Sequence, residues 1–122
     1  MPNSDHFPAI FEALKQLLRP LAPPLVVEFD VPGRYSLNAP PSAQHPQGLF
    51  FGAVRLGKSY VSYHLMPVYV CPDLLASMSD VLRKRMQGKS CFNFTAPDTA
   101  LFDELTHMTH AGFERYKRER WV

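Results

Sequence analysis

Four polar side chains in the C-terminal third have the types and spacing to hold a metal. Asp103, His107, His110 and Glu114 are separated by four, three and four residues. In a helix that spacing brings all four onto one face. Imidazoles and carboxylates together bind zinc or ferrous iron. The same helix would carry Leu101, Phe102, Leu105, Met108, Phe113 and Tyr116 on the opposite side, because each residue turns it by about 100°. The stripe is therefore also what a solvated helix face looks like, with ion pairs worth ~0.3–0.5 kcal/mol each. A metal site there would need further ligands from another element.

A second pattern suggests phosphate chemistry. The run Gly52-Ala-Val-Arg-Leu-Gly57-Lys58-Ser59 matches the phosphate-binding loop letter for letter. That loop works only between a strand and a helix, whose first N–H groups hold the phosphates. Here Ser59 opens Ser-Tyr-Val-Ser-Tyr-His-Leu, and Ala-Val-Arg-Leu continues a strand. The segment is read as a hairpin that binds no nucleotide, with Lys58 in its turn.

Nucleophilic chemistry would fall to Cys91, with His64 as its base, provided the fold brings the two together. Cys91 beside Phe92 and Phe94 also reads as a small core residue. On the second strand of the hairpin, Tyr60, Ser62 and His64 share one face, and Val61, Tyr63 and Leu65 the other. Whichever set faces away from the helices could line a groove with Arg55. Arg83, Lys84, Arg85 and Lys89 read as charges that complement a helix C-terminus, or as a patch for an anionic partner. The candidate ligand- or partner-binding residues are thus Arg55, Tyr60, Tyr63, His64, Lys89 and Cys91. No cofactor is expected.

These residues need elements to position them. Ile10, Phe11, Leu14, Leu17, Leu18 and Leu21 recur at helical spacing, which predicts a helix over about Asp5 to Leu18. Ser4 or Asp5 would cap it, and Pro20 would end it. Seven of the 12 prolines fall between Pro20 and Pro46, where no long helix can form. Leu25 to Asp30 alternates as a strand, and Arg34 to Leu37 reads as a short edge strand. Asn38 to Gly48 is an exposed loop. Leu49 to Leu56 and Ser59 to Leu65 form the hairpin. Pro72 to Gln87 reads as helical, with Gly88 as its C-cap and Ser79 able to cap a separate turn. Ser90 to Phe94 is a strand. Asp98 to about Lys117 is the last helix, capped by Asp98 or Thr95. The element order is α-β-β-β-α-β-α, in a sheet of four or five strands.

Composition sets the class. A chain of 122 residues, 46% hydrophobic and 20% charged, is one globular domain. Its net charge of +2 is too small for a dedicated nucleic-acid binder. Cys71 and Cys91 match no zinc or redox spacing and read as reduced thiols of a cytoplasmic protein. No apolar run approaches the roughly 20 residues of a membrane helix. The opening residues have neither the basic segment nor the apolar run of a signal peptide.

Three stretches resemble a known family. Tyr60-Val-Ser-Tyr-His-Leu-Met-Pro-Val-Tyr69, Arg85-Met-Gln-Gly-Lys-Ser-Cys-Phe-Asn-Phe94 and Ala111-Gly-Phe-Glu114 are similar to the YdhG-like family, also called domain-of-unknown-function family 1801. The resemblance spans about Leu49 to Lys117. It implies a two-layer α/β sandwich with helices on one face of an antiparallel sheet. Some relatives are described as frataxin-like iron chaperones, and no catalytic residues come with the family.

The expectation is a single α+β domain over 1–122, acting as a non-enzymatic binding or adaptor module through its exposed sheet face. An iron or metal carrier using the histidine stripe is the alternative, and an enzyme using Cys91 or His64 a weaker one. The hairpin is rich in Phe50, Phe51, Val54, Leu56, Tyr60, Val61, Tyr63 and Leu65. Half of these should point away from the helices, giving an apolar face for a homodimer or protein partner.

Overall fold

The computed structural model describes residues 6–122. The caps expected at Ser4 or Asp5 lie outside the described residues. Helix α1 (Phe7–Leu18) buries Phe7, Ile10, Phe11, Leu14 and Leu18, the apolar stripe that its spacing predicts. Its last turn tightens into a 3-10 turn at Arg19–Leu21, where Pro20 removes the donor that a further α-helical turn needs.

Five strands follow in one antiparallel sheet: β1 (Val26–Val31), β2 (Arg34–Ala39), β3 (Leu49–Leu56), β4 (Val61–Leu65) and β5 (Cys91–Phe94). Their spatial order is their chain order. The molecule is an α+β sandwich, with the expected sequence of a helix, a run of strands, a helical stretch, a strand and a helix. The Arg34 segment is a full interior member of the sheet, paired with β1 on one side and β3 on the other. It was expected at an edge. It becomes interior because Val26–Val31 pairs back across the Pro32-Gly33 turn, where Gly33 takes a positive φ of 80°.

The two sheet edges differ. Along β5, the Gln87 N–H donates to the Cys91 carbonyl and the Asn93 N–H to the Arg85 carbonyl, each at 2.8 Å. That edge is therefore covered by its own chain. The edge at β1 is open, and a bulge between Val27 and Phe29 interrupts its register.

Between β4 and β5 lie three short helical pieces, the last two within the Pro72 to Gln87 stretch expected to be helical, the third being the separate turn that Ser79 is able to cap. These are α2 (Pro67–Val70), a 3-10 segment at Pro72–Ser77, and α3 (Asp80–Arg83). The break falls at Ser79, which is extended and caps α3 by accepting from the Leu82 N–H at 3.1 Å. Glu104 fixes it there, accepting from the Ser79 N–H at 2.7 Å and from its hydroxyl at 2.6 Å. Gly88 has the positive φ of a cap, but it sits in the turn before β5 rather than at a helix end. Helix α4 (Thr99–Arg118) is capped by Asp98, not Thr95, through the Leu101 N–H at 3.1 Å.

Helices α1 and α4 pack together on one face of the sheet. Phe51, Val54, Val61, Tyr63, Leu65, Phe92 and Phe94 enter the core beneath them. The Tyr63 hydroxyl meets the Thr109 hydroxyl of α4 at 2.6 Å. Gly112 lets α4 approach α2, since a Cβ there would lie 2.6 Å from Pro67 Cβ. The Tyr116 hydroxyl donates to the Phe50 carbonyl at 2.7 Å. Beyond it, Trp121 donates its indole N–H to Gln44 and meets the His45 ring edge-on at 5.0 Å. The C-terminal segment therefore pins the Pro-rich loop between β2 and β3. No described helix is long and apolar enough to cross a membrane.

Candidate functional site

Strand pairing decides what the open face presents. Partners across a ladder share a face, and the registers align Arg34, Arg55, Ser62 and Asn93 in one row. The next row holds Phe29, Ser36, Ala53, His64 and Cys91. Beyond it, Asn38 is opposite Phe50. The helices cover the alternate positions, so these rows face away from them.

The odd positions of β4 therefore point inward. Tyr63 is 0% exposed and drops out of the candidate site. Burial among apolar neighbours pushes its phenol well above the usual range. The even positions, Ser62 and His64, lie outward, and Tyr60 is 44% exposed in the turn. Most of the expected apolar hairpin set lies on the other side, and Phe50 is a member that lines the open face. Phe51, Val54, Val61 and Leu65 are in the core, and Arg55, Ser62 and His64 occupy the open rows.

Two hollows share this face. One of about 480 Å³ is lined by Glu28, Arg34, Ser36, Asn38, Gln47, Gly48, Phe50, Ala53, Arg55 and His64, among others. The other, at the hairpin end, includes Lys58, Ser59, Tyr60, Ser62 and Cys91 and again Arg55 and His64. The volume of the first lies within the range of small-molecule sites, about 300–1,000 Å³. Its floor is low because Ser36 and Ala53 are small. Its wall comes from the pinned loop, through Gln47 and Gly48.

Arg34 and Arg55 are direct cross-strand partners. Like charges in that position repel, and no carboxylate forms an ion pair with either among the described residues. The Arg34 guanidinium lies 3.9 Å from the centre of the Phe29 ring. Stacking holds the plane and leaves the N–H fork free to bind in that plane. At the other end, the Asn38 amide donates to Glu28 at 2.8 Å. Its carbonyl oxygen, Oδ1, is buried and has no hydrogen-bond partner.

Cys91 is half-buried on the open face, not in the core, because alternation sends Phe92 and Phe94 inward. Its sulfur lies 3.8 Å from His64 Nε2 and 3.4 Å from Asn93 Oδ1. Burial pushes the thiol up. Burial first, and Arg55 second, hold the imidazole below its usual value. An activated thiolate–imidazolium pair requires the opposite shifts, so the free protein holds both groups neutral. Cys71 is buried, and both cysteines are free thiols.

Lys89 is exposed before β5, its ammonium 5.9 Å from the Tyr69 ring, and lines neither hollow. The proposed metal ligands do not converge. Asp103, His107, His110 and Glu114 are all exposed on α4, and a rise of 1.5 Å per residue spreads the outer two about 16 Å apart. Nearby Glu104 is engaged by Ser79. Among the described residues no three His, Cys, Asp or Glu groups come together to hold a metal. The Gly52–Ser59 run is strand and turn, with the Gly57 N–H donating to the Tyr60 carbonyl at 2.9 Å, and no helix follows it.

Sequence reasoning missed Arg34, Asn38 and Glu28. Arg34 was assigned to an edge strand with no partner, and only the long-range register of β2 and β3 sets it beside Arg55. No family model matches the chain, and neither does any curated protein or solved structure.

Proposed function

We propose that the chain is a non-enzymatic binding module that takes a small anionic ligand in the polar trough on the open face of its sheet. The observation that carries this reading is the Arg34–Arg55 pair, two like charges set opposite each other without a carboxylate partner. An oxyanion between two guanidinium forks would relieve their repulsion and gain charge-assisted hydrogen bonds. Supporting it are the size of the hollow and the small side chains of its floor. The neutral state of Cys91 and His64 favours binding over nucleophilic catalysis. A place in the YdhG-like family is part of the same reading, resting on the three stretches quoted above.

Thermal-shift measurement of the full chain against a panel of phosphate and carboxylate anions tests the reading. A ligand that binds only the native state raises its apparent stability. The expected result is stabilisation that disappears in Arg55→Ala and persists in Lys58→Ala. Stabilisation by no anion, or equal stabilisation of Arg55→Ala, would overturn it.

A further inference from the structure

The trough has two chemically opposite ends. At one, Arg34 and Arg55 present guanidinium forks. At the other, Glu28 presents a carboxylate, and Asn38 holds a buried carbonyl oxygen with no donor. That oxygen is closed off from the trough, whereas the exposed Glu28 carboxylate lines it. Arg34 and Asn38 stand four positions apart on β2, which at ~3.3 Å per residue is about 13 Å. Between the ends the floor is Ser36 and Ala53, which are too small to obstruct an extended molecule.

We infer that the trough takes an elongated dipolar molecule, with an oxyanion between Arg34 and Arg55 and an ammonium at Glu28. Charge complementarity at both ends favours this over a simple anion. A plain phosphate or carboxylate would fill the arginine end and leave the Glu28 carboxylate without a cation. The inference rests on the trough reading and adds a length and a polarity to it.

Glycine oligomers are suitable probes, since they are dipolar and span at most ~3.3–3.6 Å per residue. Diglycine is too short for both ends, and tetraglycine reaches about 13 Å. Binding to the full chain is followed by amide chemical-shift titration. Tetraglycine is expected to bind about tenfold more tightly than diglycine, and N-acetyl-tetraglycine or tetraglycine amide to lose about as much. Glu28→Gln, an exposed change that spares the fold, should abolish the difference between tetraglycine and its acetylated form. Arg55→Ala should abolish the difference between tetraglycine and its amide. Competition distinguishes the oxyanions: stronger displacement by inorganic phosphate than by acetate indicates a phosphate ligand, and the reverse a carboxylate. Displacement by neither, with tetraglycine still bound, would overturn the placing of the oxyanion at the arginines. If acetylated and free tetraglycine bind alike while Arg55→Ala weakens both, the trough binds anions and the dipolar inference fails. If no probe depends on Arg55, both readings fail.

Discussion

Burial first, and the Arg55 charge second, favour the neutral imidazole of His64. Its folded-state pKa lies below the 6.5 of an unperturbed histidine. Between those two values the unfolded chain binds the extra proton, so stability rises with pH. The contribution is complete above the unfolded value and is lost as pH falls from there through the folded value. The urea midpoint of the wild type should drop between about pH 7.5 and about pH 5.5 more than that of His64→Gln. Equal drops would show that other groups control the acid response. Tyr63 makes a separate test of a purely structural role. Removing its hydroxyl in Tyr63→Phe leaves Thr109 without its buried partner, at a cost of about 1–2 kcal/mol. Urea denaturation should show that loss, with anion binding unchanged. The parity that separates these two residues was open in the sequence. Alternation grouped Tyr60 with His64 and Tyr63 with Val61, but only the packing of α1 and α4 on the odd positions told which group faces out. Cys91 was legible and was misread, since strand alternation places it opposite in sense to Phe92 and Phe94.

The elements were legible where local signals agreed. The apolar stripe of α1, the hairpin and the Asp98 cap of α4 all follow from spacing and cap chemistry. The stretch from Pro72 to Gln87 was legible in part: Ser79 reads as the cap of a separate turn, but helical apolar spacing does not encode the 3-10 geometry of Pro72–Ser77. Ser79 is extended as the N-cap of α3, and Glu104, which is 25 residues away, accepts both of its donors. Ser79→Ala loses the cap of α3 and one bond to Glu104, which should cost about 1–2 kcal/mol. Thermal unfolding against Ser79→Thr, which keeps the hydroxyl, checks this. The hairpin argues the same point from the other side. Its letters match a nucleotide loop, but β4 continues where a helix would have to begin. Calorimetry with ATP or GTP and magnesium should detect no binding, and Lys58→Ala should change nothing. Micromolar affinity that depends on Lys58 would contradict the hairpin. The open β1 edge carries acidic Glu28 and Asp30 and a bulge, devices that discourage pairing with a second chain.

At the scale of the whole molecule, the helices are held against one another and against the sheet by a few close approaches. Gly112 against Pro67 is one of them. A methyl group there would overlap the proline ring, so Gly112→Ala should destabilise by about 1–3 kcal/mol, despite the better helix propensity of alanine. A chemical denaturation curve with a lower midpoint and the same slope would confirm local overpacking. Such approaches, like the Arg34–Arg55 row, depend on residues far apart in sequence, and no single-sequence pattern encodes them. The trough belongs to this class entirely. Each of its residues is unremarkable in its own segment.

The contact between Trp121 and the loop carrying Gln44 and His45 has an optical consequence. Trp121 is the sole tryptophan of the chain. Its indole is held by the same loop that supplies Gln47 and Gly48 to the trough wall. Excited at the red edge of its absorption, the protein emits from one place only, and that place adjoins the trough wall. A molecule that moves the wall changes the surroundings of the indole, and hence the colour and yield of its emission. Titrating inorganic phosphate or tetraglycine into unlabelled protein should therefore shift the emission of the wild type and leave that of Arg55→Ala constant. Gln44→Ala, which releases the indole N–H, should red-shift the emission before any ligand is added.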